Sequence, residues 1–284
     1  MPADDIRIRF YIGPNEWQPY TVRNLHTVLN HRIFNATCDS VFYHYGFTQS
    51  VNSANVRDVI DASVTHGDQN FFLIYYLTIT TVTSNNALEI GSNLANSYIK
   101  LCGAGFPPSR LHLVGFSLGA QIQAIASRTV QSRTNQRFVV GRLTGLDPGQ
   151  VHTVPELGRL SSADAAFVDT IHTESVSFGE HLSAGHVSYF VNGGNVQPFC
   201  TIFVRVCSHN FAPTAWAESI RARSPVFPSL ACSTWDDFLS GSCNNSSVGN
   251  MGIHTTRISR GRHFLCTNRV SPFSRPQATP CVIK

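Results

Sequence analysis

Leu111-His112-Leu113-Val114-Gly115-Phe116-Ser117-Leu118-Gly119-Ala120-Gln121-Ile122-Gln123-Ala124-Ile125-Ala126 is the stretch whose reading decides the fold. Its first four residues form a short apolar strand. Its last seven are good helix formers with apolar residues three apart. Between them stands a G-x-S-x-G pentapeptide, Gly115–Gly119. Strand, tight turn and helix together are the context that turns a common pattern into an elbow presenting a serine nucleophile. The glycines let strand and helix pack closely while Ser117 is held on a strained turn with its hydroxyl exposed. A serine there also sits at a helix N-terminus, where backbone N–H groups and the helix dipole favour an oxyanion.

Working outward, Ile6, Ile8, Phe10 and Ile12 alternate with other residues, the period of a strand with one buried face. The apolar runs Ser40–Tyr43, Phe71–Leu77, Leu111–Val114, Val139–Leu146 and Phe167–His172 read as more fully buried strands. Helical patterns lie between some of them, at Val56–Thr65, Asn86–Cys102 and Leu118–Val130. Strands alternating with helices predict an α/β fold: a central, mostly parallel sheet with helices on both faces. Such a sheet places its functional groups at the carboxyl ends of its strands, where Ser117 stands. After about residue 212 the pattern loosens. Arg223–Gly252, rich in Pro, Ser, Gly and Cys, reads as a disulfide-tied excursion, and Gly252–Thr267 as one or two returning edge strands.

The 284 residues are 42% apolar and 13% charged, with a net charge of +4, the composition of a globular protein. No dense Lys/Arg cluster supports a nucleic-acid surface. No stretch approaches the ~18 apolar residues of a membrane span. The start, Met1-Pro2-Ala3-Asp4-Asp5, lacks an apolar signal core. Yet the chain has eight cysteines: Cys38, Cys102, Cys200, Cys207, Cys232, Cys243, Cys266 and Cys281. An even number fits four bridges in an oxidising compartment. Glycosylation sequons stand at Asn35, Asn244 and Asn245. The expectation is a secreted protein whose signal peptide is missing from this numbering.

A serine hydroxyl needs a base and an orienting acid to become a nucleophile. In elbow hydrolases the order is Ser, then Asp or Glu, then His. Asp147, in Leu146-Asp147-Pro148-Gly149, closes the next strand and so lies beside the elbow. Twelve histidines compete for the base, and the order excludes those before Asp147. His209, in Cys207-Ser208-His209, reads as lying on a loop tied by a cysteine, and on spacing alone His152, His172, His181, His186, His254 and His263 stay open beside it.

Further segments carry a resemblance. They are Gly46-Phe47-Thr48-Gln49-Ser50, the elbow, Leu146-Asp147-Pro148, Val168-Asp169-Thr170-Ile171-His172-Thr173, Gly185-His186, Asn192-Gly193-Gly194, Gln197-Pro198-Phe199-Cys200 and Cys207-Ser208-His209. In this order, from about Tyr43 to Cys281, they resemble the animal lipases of the pancreatic-lipase family. The nearest likeness is to the short insect branch with the wasp-venom phospholipases A1. The resemblance implies one α/β-hydrolase domain over 1–284, stabilised by disulfides and with no C-terminal β-sandwich. It implies Ser117, Asp147 and His209 as catalytic triad and the backbone N–H groups of Phe47 and Leu118 as oxyanion hole. It implies a lid closed by Cys200 and Cys207, here only Thr201, Ile202, Phe203, Val204, Arg205 and Val206. A loop so short resembles the phospholipase A1 members more than the triglyceride lipases. Its apolar residues suit either a lipid surface or a small strand against the core.

The resemblance also pairs Cys200 with Cys207 and Cys232 with Cys243, which leaves Cys38–Cys102 and Cys266–Cys281 for the rest. A calcium site of some members maps onto Glu156, the Arg159 carbonyl, Ser161 and Asp164. With Ser161 in place of an acidic ligand, weak or no binding is expected, so the chain is read without metal or cofactor. The chain departs from the family at Phe116 and Tyr45, both usually His, and at Tyr75-Tyr76, where Asp-Trp is usual. The expected function is a secreted serine ester hydrolase cleaving fatty-acyl esters of lipids, phospholipid at sn-1 above all. It would have a lipid surface as partner, with peripheral membrane contact. The other reading is a lipase-like lipid-binding or storage protein, like the insect yolk proteins of the family. Those lose the nucleophile, whereas this chain keeps all three triad positions.

Overall fold

The computed structural model describes residues 3–76, 84–150, 158–181 and 183–281. Its strands are β1 (Ile6–Gly13), β2 (Glu16–Thr21), β3 (Ser40–His44), β4 (Asn70–Tyr76), β5 (Leu111–Phe116) and β6 (Arg142–Leu146). They continue with β7 (Val168–His172), β8 (Val187–Val191), β9 (Pro228–Ala231), β10 (Val248–Asn250) and β11 (Gly261–Leu265). The helices are α1 (Ala54–His66), α2 (Ser84–Gly103), α3 (Leu118–Arg133), α4 (Val204–Arg221) and α5 (Trp235–Leu239). All the strands join one sheet in the order β10-β9-β11-β8-β7-β6-β5-β3-β4-β1-β2. The seven from β11 to β4 are parallel, and antiparallel strands close both ends.

The continuous apolar runs follow from burial on both faces. In β4, Phe72 and Ile74 pack toward α2 and α3, while Phe71 and Leu73 pack toward α1 and α4. The chain winds from β3 to β4 on one side, then returns to place β5 on the other flank of β3. The loop after β3 and the elbow after β5 therefore flank a topological switch point, where such sheets bind ligands.

Two elements differ from expectation. Cys207-Ser208-His209 lies inside α4, not on a loop. The run Gly252–Thr267 returns as β11, which is no edge strand: it pairs with β8 on one side and β9 on the other, and β10 forms the edge. A buried ion pair anchors this return. Arg142 on β6 makes two bonds to Asp169 on β7 (2.8 and 2.9 Å) and donates to the carbonyls of Gly252 and Ile253 (2.9 and 2.8 Å).

Disulfides join Cys200 to Cys207, Cys232 to Cys243 and Cys266 to Cys281. The expected Cys38–Cys102 bridge does not form, and both thiols are free. Cys102 is packed among the apolar side chains on the α2 and α3 face. Cys38 instead lines a surface groove with Ser63, Val64 and Gly67 at the end of α1. Burial pushes the Cys102 thiol up to about 12. Three bridges fit an extracellular protein. Asn35, Asn244 and Asn245 are exposed. Among the described residues no helix is long and apolar enough to cross a membrane.

Candidate active site

Ser117 stands between β5 and α3 with φ 53° and ψ −124°, a strained conformation for a residue with a side chain. The surrounding glycines are a steric requirement. A Cβ on Gly115 would lie 2.4 Å from Ala120 Cα, and one on Gly119 would lie 2.4 Å from the His44 carbonyl oxygen. The strand, helix and β3 loop close to this distance only without side chains. The strained turn is itself held, since the Ser117 N–H donates to the Leu146 carbonyl (3.0 Å).

Asp147 follows β6, again at positive φ (41°), and is fully buried. Its Oδ1 accepts the N–H groups of Thr173 (2.7 Å) and Glu174 (3.1 Å), which fixes the carboxylate plane. Its Oδ2 lies 2.6 Å from His209 Nδ1, and His209 Nε2 lies 2.8 Å from Ser117 Oγ. The three residues singled out from sequence thus form one continuous hydrogen-bonded chain. Gly179 makes room for it, because a Cβ there would lie 2.9 Å from Asp147 Cγ.

Among the described residues, the other histidines allowed by chain order take other positions. His172 is buried, bonds Thr170 Oγ1 (2.8 Å) and is pushed down to about 4, chiefly by burial. His186 Nδ1 accepts the Val168 N–H and His263 lies beside Ser229. His181 and His254 sit in loop segments, and His152 lies outside the described residues.

Gly46 brings the loop after β3 against the elbow. A Cβ on Gly46 would come within 2.9 Å of Ser117 Cβ. Phe47 follows Gly46 on this loop, and Leu118 opens α3 directly after Ser117. A groove of about 1020 Å³, lined by Phe47, Ser117 and His209, opens here. Phe47, Phe116, Phe178, Phe199, Phe211 and Phe273 give it an aromatic wall, and Thr48, Gln49, Asn55 and Asn210 a polar one.

The departures from the family pattern leave the groove open. Phe116 is buried with its ring centroid 4.7 Å from that of His209, and Phe178 approaches the imidazole at 5.5 Å. Tyr45 is buried and its hydroxyl is pushed up to about 12 by desolvation. Tyr76 bonds through its hydroxyl to His44 Nε2, and burial pushes the His44 imidazole down to about 3. Tyr75 stacks on the Arg9 guanidinium (4.6 Å), whose other neighbour is Trp17 (4.2 Å). These aromatic residues are thus absorbed into packing and stacking contacts.

The disulfide loop gives no strand. Cys200 is buried, Ile202 and Phe203 are 72% and 82% exposed, and α4 begins at Val204. Arg205 bonds the buried Glu174 carboxylate (2.9 Å) and so ties the loop to the segment beneath Asp147. Exposed Phe47, Val176, Phe178, Ile202, Phe203 and Val206 make an apolar fringe on the elements around the groove.

The calcium positions do not fit a cation. The Arg128 guanidinium on α3 makes two 3.0 Å bonds to Asp164 and donates to the Arg159 carbonyl (2.9 Å). It therefore already occupies the oxygens a metal would need, and supplies the positive charge itself. Ser161 caps the short turn at 162–164, and Glu156 lies outside the described residues. Among the described residues no cluster of three His, Cys, Asp or Glu side chains is placed to hold a metal.

The family model for lipases matches residues 2–273. Phospholipase A1 member A from Bos taurus is 29% identical over 223 residues, covering 74% of this chain and 47% of the relative. Pancreatic lipase-related protein 2 from Cavia porcellus is 27% identical over 270 residues, 86% of this chain and 58% of that protein. Pancreatic triacylglycerol lipase from Myocastor coypus is 32% identical over 205 residues, 60% and 43%. The chain spans about half the length of these curated relatives.

Proposed function

The chain belongs to the lipase family, and on that premise we propose that it is a secreted serine ester hydrolase of fatty-acyl lipid esters. The observation that carries the reading is the hydrogen-bonded chain Ser117 Oγ–His209–Asp147, at 2.8 and 2.6 Å, with Ser117 and His209 lining a groove with an aromatic wall. His209 Nε2 takes the Ser117 proton as Oγ attacks the acyl carbonyl carbon. The oxyanion that forms is met by the N–H groups of Phe47 and Leu118. Collapse breaks the ester bond, and His209 gives its proton to the departing alcohol oxygen. Water then attacks the acyl-serine with His209 as base, which releases the fatty acid and restores Ser117. Asp147 holds the imidazole tautomer and offsets its charge.

The aromatic wall suits an acyl chain, and the apolar fringe suits contact with a lipid surface. The short Cys200–Cys207 loop and the likeness to a phospholipase A1 favour a glycerophospholipid cleaved at sn-1. The direct test is fatty-acid release from phosphatidylcholine vesicles and from emulsified triacylglycerol, with Ser117→Ala beside the wild type. Release from phospholipid, sn-1 acyl only, that vanishes in Ser117→Ala is expected. Equal background in both proteins would refute hydrolysis and leave the groove as a lipid-binding site.

A further inference from the structure

Three side-chain amides meet beside the groove, each from a different part of the fold. Gln49 belongs to the loop after β3, Asn55 to α1 and Asn210 to α4, one residue after His209. Gln49 Oε1 accepts the Gly46 N–H (3.1 Å). Gln49 Nε2 donates to Asn55 Oδ1 (2.8 Å) and to Asn210 Oδ1 (3.2 Å). Asn55 Nδ2 donates to Asn210 Oδ1 (3.0 Å), and Asn210 Nδ2 to the Val206 carbonyl (2.9 Å). Backbone groups at both ends fix the amide orientations: the Gly46 N–H requires an acceptor, and the Val206 carbonyl requires a donor.

We propose that this amide cluster positions the oxyanion-binding loop, by tying the turn that carries the Phe47 N–H to the helix that carries His209. The inference rests on the reading of Ser117 as nucleophile. The turn has little else to hold it. Phe47 and Thr48 are exposed, Thr48 sits at φ 61°, and the turn's own bond, Gln49 N–H to the Gly46 carbonyl, is long at 3.4 Å. An oxyanion donor acts through preorganisation, so a turn free to shift loses much of its effect. The hydrogen-bond inventory favours positioning over ligand binding. Both Nε2 hydrogens of Gln49 and its Oε1 are engaged inside the protein, and Asn210 Oδ1 accepts twice. The cluster keeps only one free hydrogen on each of Asn55 and Asn210 to offer a substrate.

The test compares Gln49→Leu, Asn210→Leu and the double variant on a soluble short-chain ester, with melting temperatures to verify folding. Removing an oxyanion donor outright lowers kcat by about 100- to 1,000-fold. Loosening one should lower it by about tenfold, with KM within about twofold. Because the two side chains form one tie, the double variant should lose no more than either single one. Hydrogen exchange across residues 45–50 supplies a readout independent of turnover: Gln49→Leu should speed it, in a Ser117→Ala background as well. Unchanged exchange would overturn the proposal, whether or not the protein hydrolyses esters. So would a raised KM at constant kcat, which marks a substrate contact, or additive losses in the double variant. Failure of the hydrolase reading would instead appear as wild-type activity equal to that of Ser117→Ala.

Discussion

Acid should unfold this protein earlier than its carboxylates require, because His44, His112 and His172 are buried as neutral rings. His44 closes β3, His112 lies on β5 and His172 closes β7, and desolvation is the leading cause that lowers each of them. His44 is held at about 3 and His172 at about 4; His112 stands well below its usual value, with Arg142 beside it adding to the effect. In the unfolded chain each takes a proton near pH 6.5. The unfolded state thus binds more protons as pH falls, and stability falls with pH. The contribution is fully present above about pH 6.5 and is lost progressively below it, down to the folded values.

At pH 5 the cost depends almost wholly on the unfolded value. Each ring still neutral in the native state then loses about 2 kcal/mol, from about 1.5 units at about 1.36 kcal/mol per unit. His44 and His172 together remove about 4 kcal/mol, and His112 acts in the same direction. That is comparable with the whole stability of a typical domain, about 5–15 kcal/mol. Urea unfolding between pH 7.5 and 5 measures it directly. The slope near pH 5 should report at least two protons taken up on unfolding, and His172→Gln should remove about one. A stability flat between pH 7.5 and 5 would refute the reasoning.

Two further outcomes follow from the charged groups. With Arg128 in place of a metal at Asp164 and the Arg159 carbonyl, neither a chelator nor added calcium should change melting temperature or ester hydrolysis; a drop with chelator would contradict this. Arg142→Met leaves Asp169 charged and fully buried and frees the carbonyls of Gly252 and Ile253. It should therefore cost about 3–5 kcal/mol in denaturant unfolding, against about 0–1 kcal/mol for a pair at the surface.

The sheet was legible where burial is two-sided. Apolar runs such as Phe71–Leu77, of which Leu77 lies outside the described residues, and Leu111–Val114 announce strands because both faces must be covered. The expected Val139–Leu146 strand starts only at Arg142; before it Val140 accepts the Ala166 N–H (2.9 Å) while the Gly141 N–H turns to the Pro108 carbonyl (2.9 Å), close to Ser109. β2 gave little signal: it is an exposed edge strand, Glu16-Trp17-Gln18-Pro19-Tyr20-Thr21, with a proline. α4 was hidden for the opposite reason. Its buried residues include Ser208, His209, Phe211, Ala212, Pro213, Ala215 and Trp216, so no polar face marks a helical period. That is why the base stayed one of seven histidines on spacing alone, and only the resemblance singled out His209. Ser117 and Asp147 were legible because each ends a strand on a turn with its own glycine chemistry. The amides Gln49, Asn55 and Asn210 carried no such signal. They lie up to 161 residues apart and meet only in the fold.

The central claim is that Ser117 is an activated nucleophile. Its most direct test is the site of covalent labelling by a fluorophosphonate, read by mass spectrometry of the peptide that carries the elbow. One adduct per chain, at Ser117 in the wild type and lost in His209→Ala, is the expected result. A folded protein with Ser117 unlabelled, or labelled equally well without His209, would contradict it.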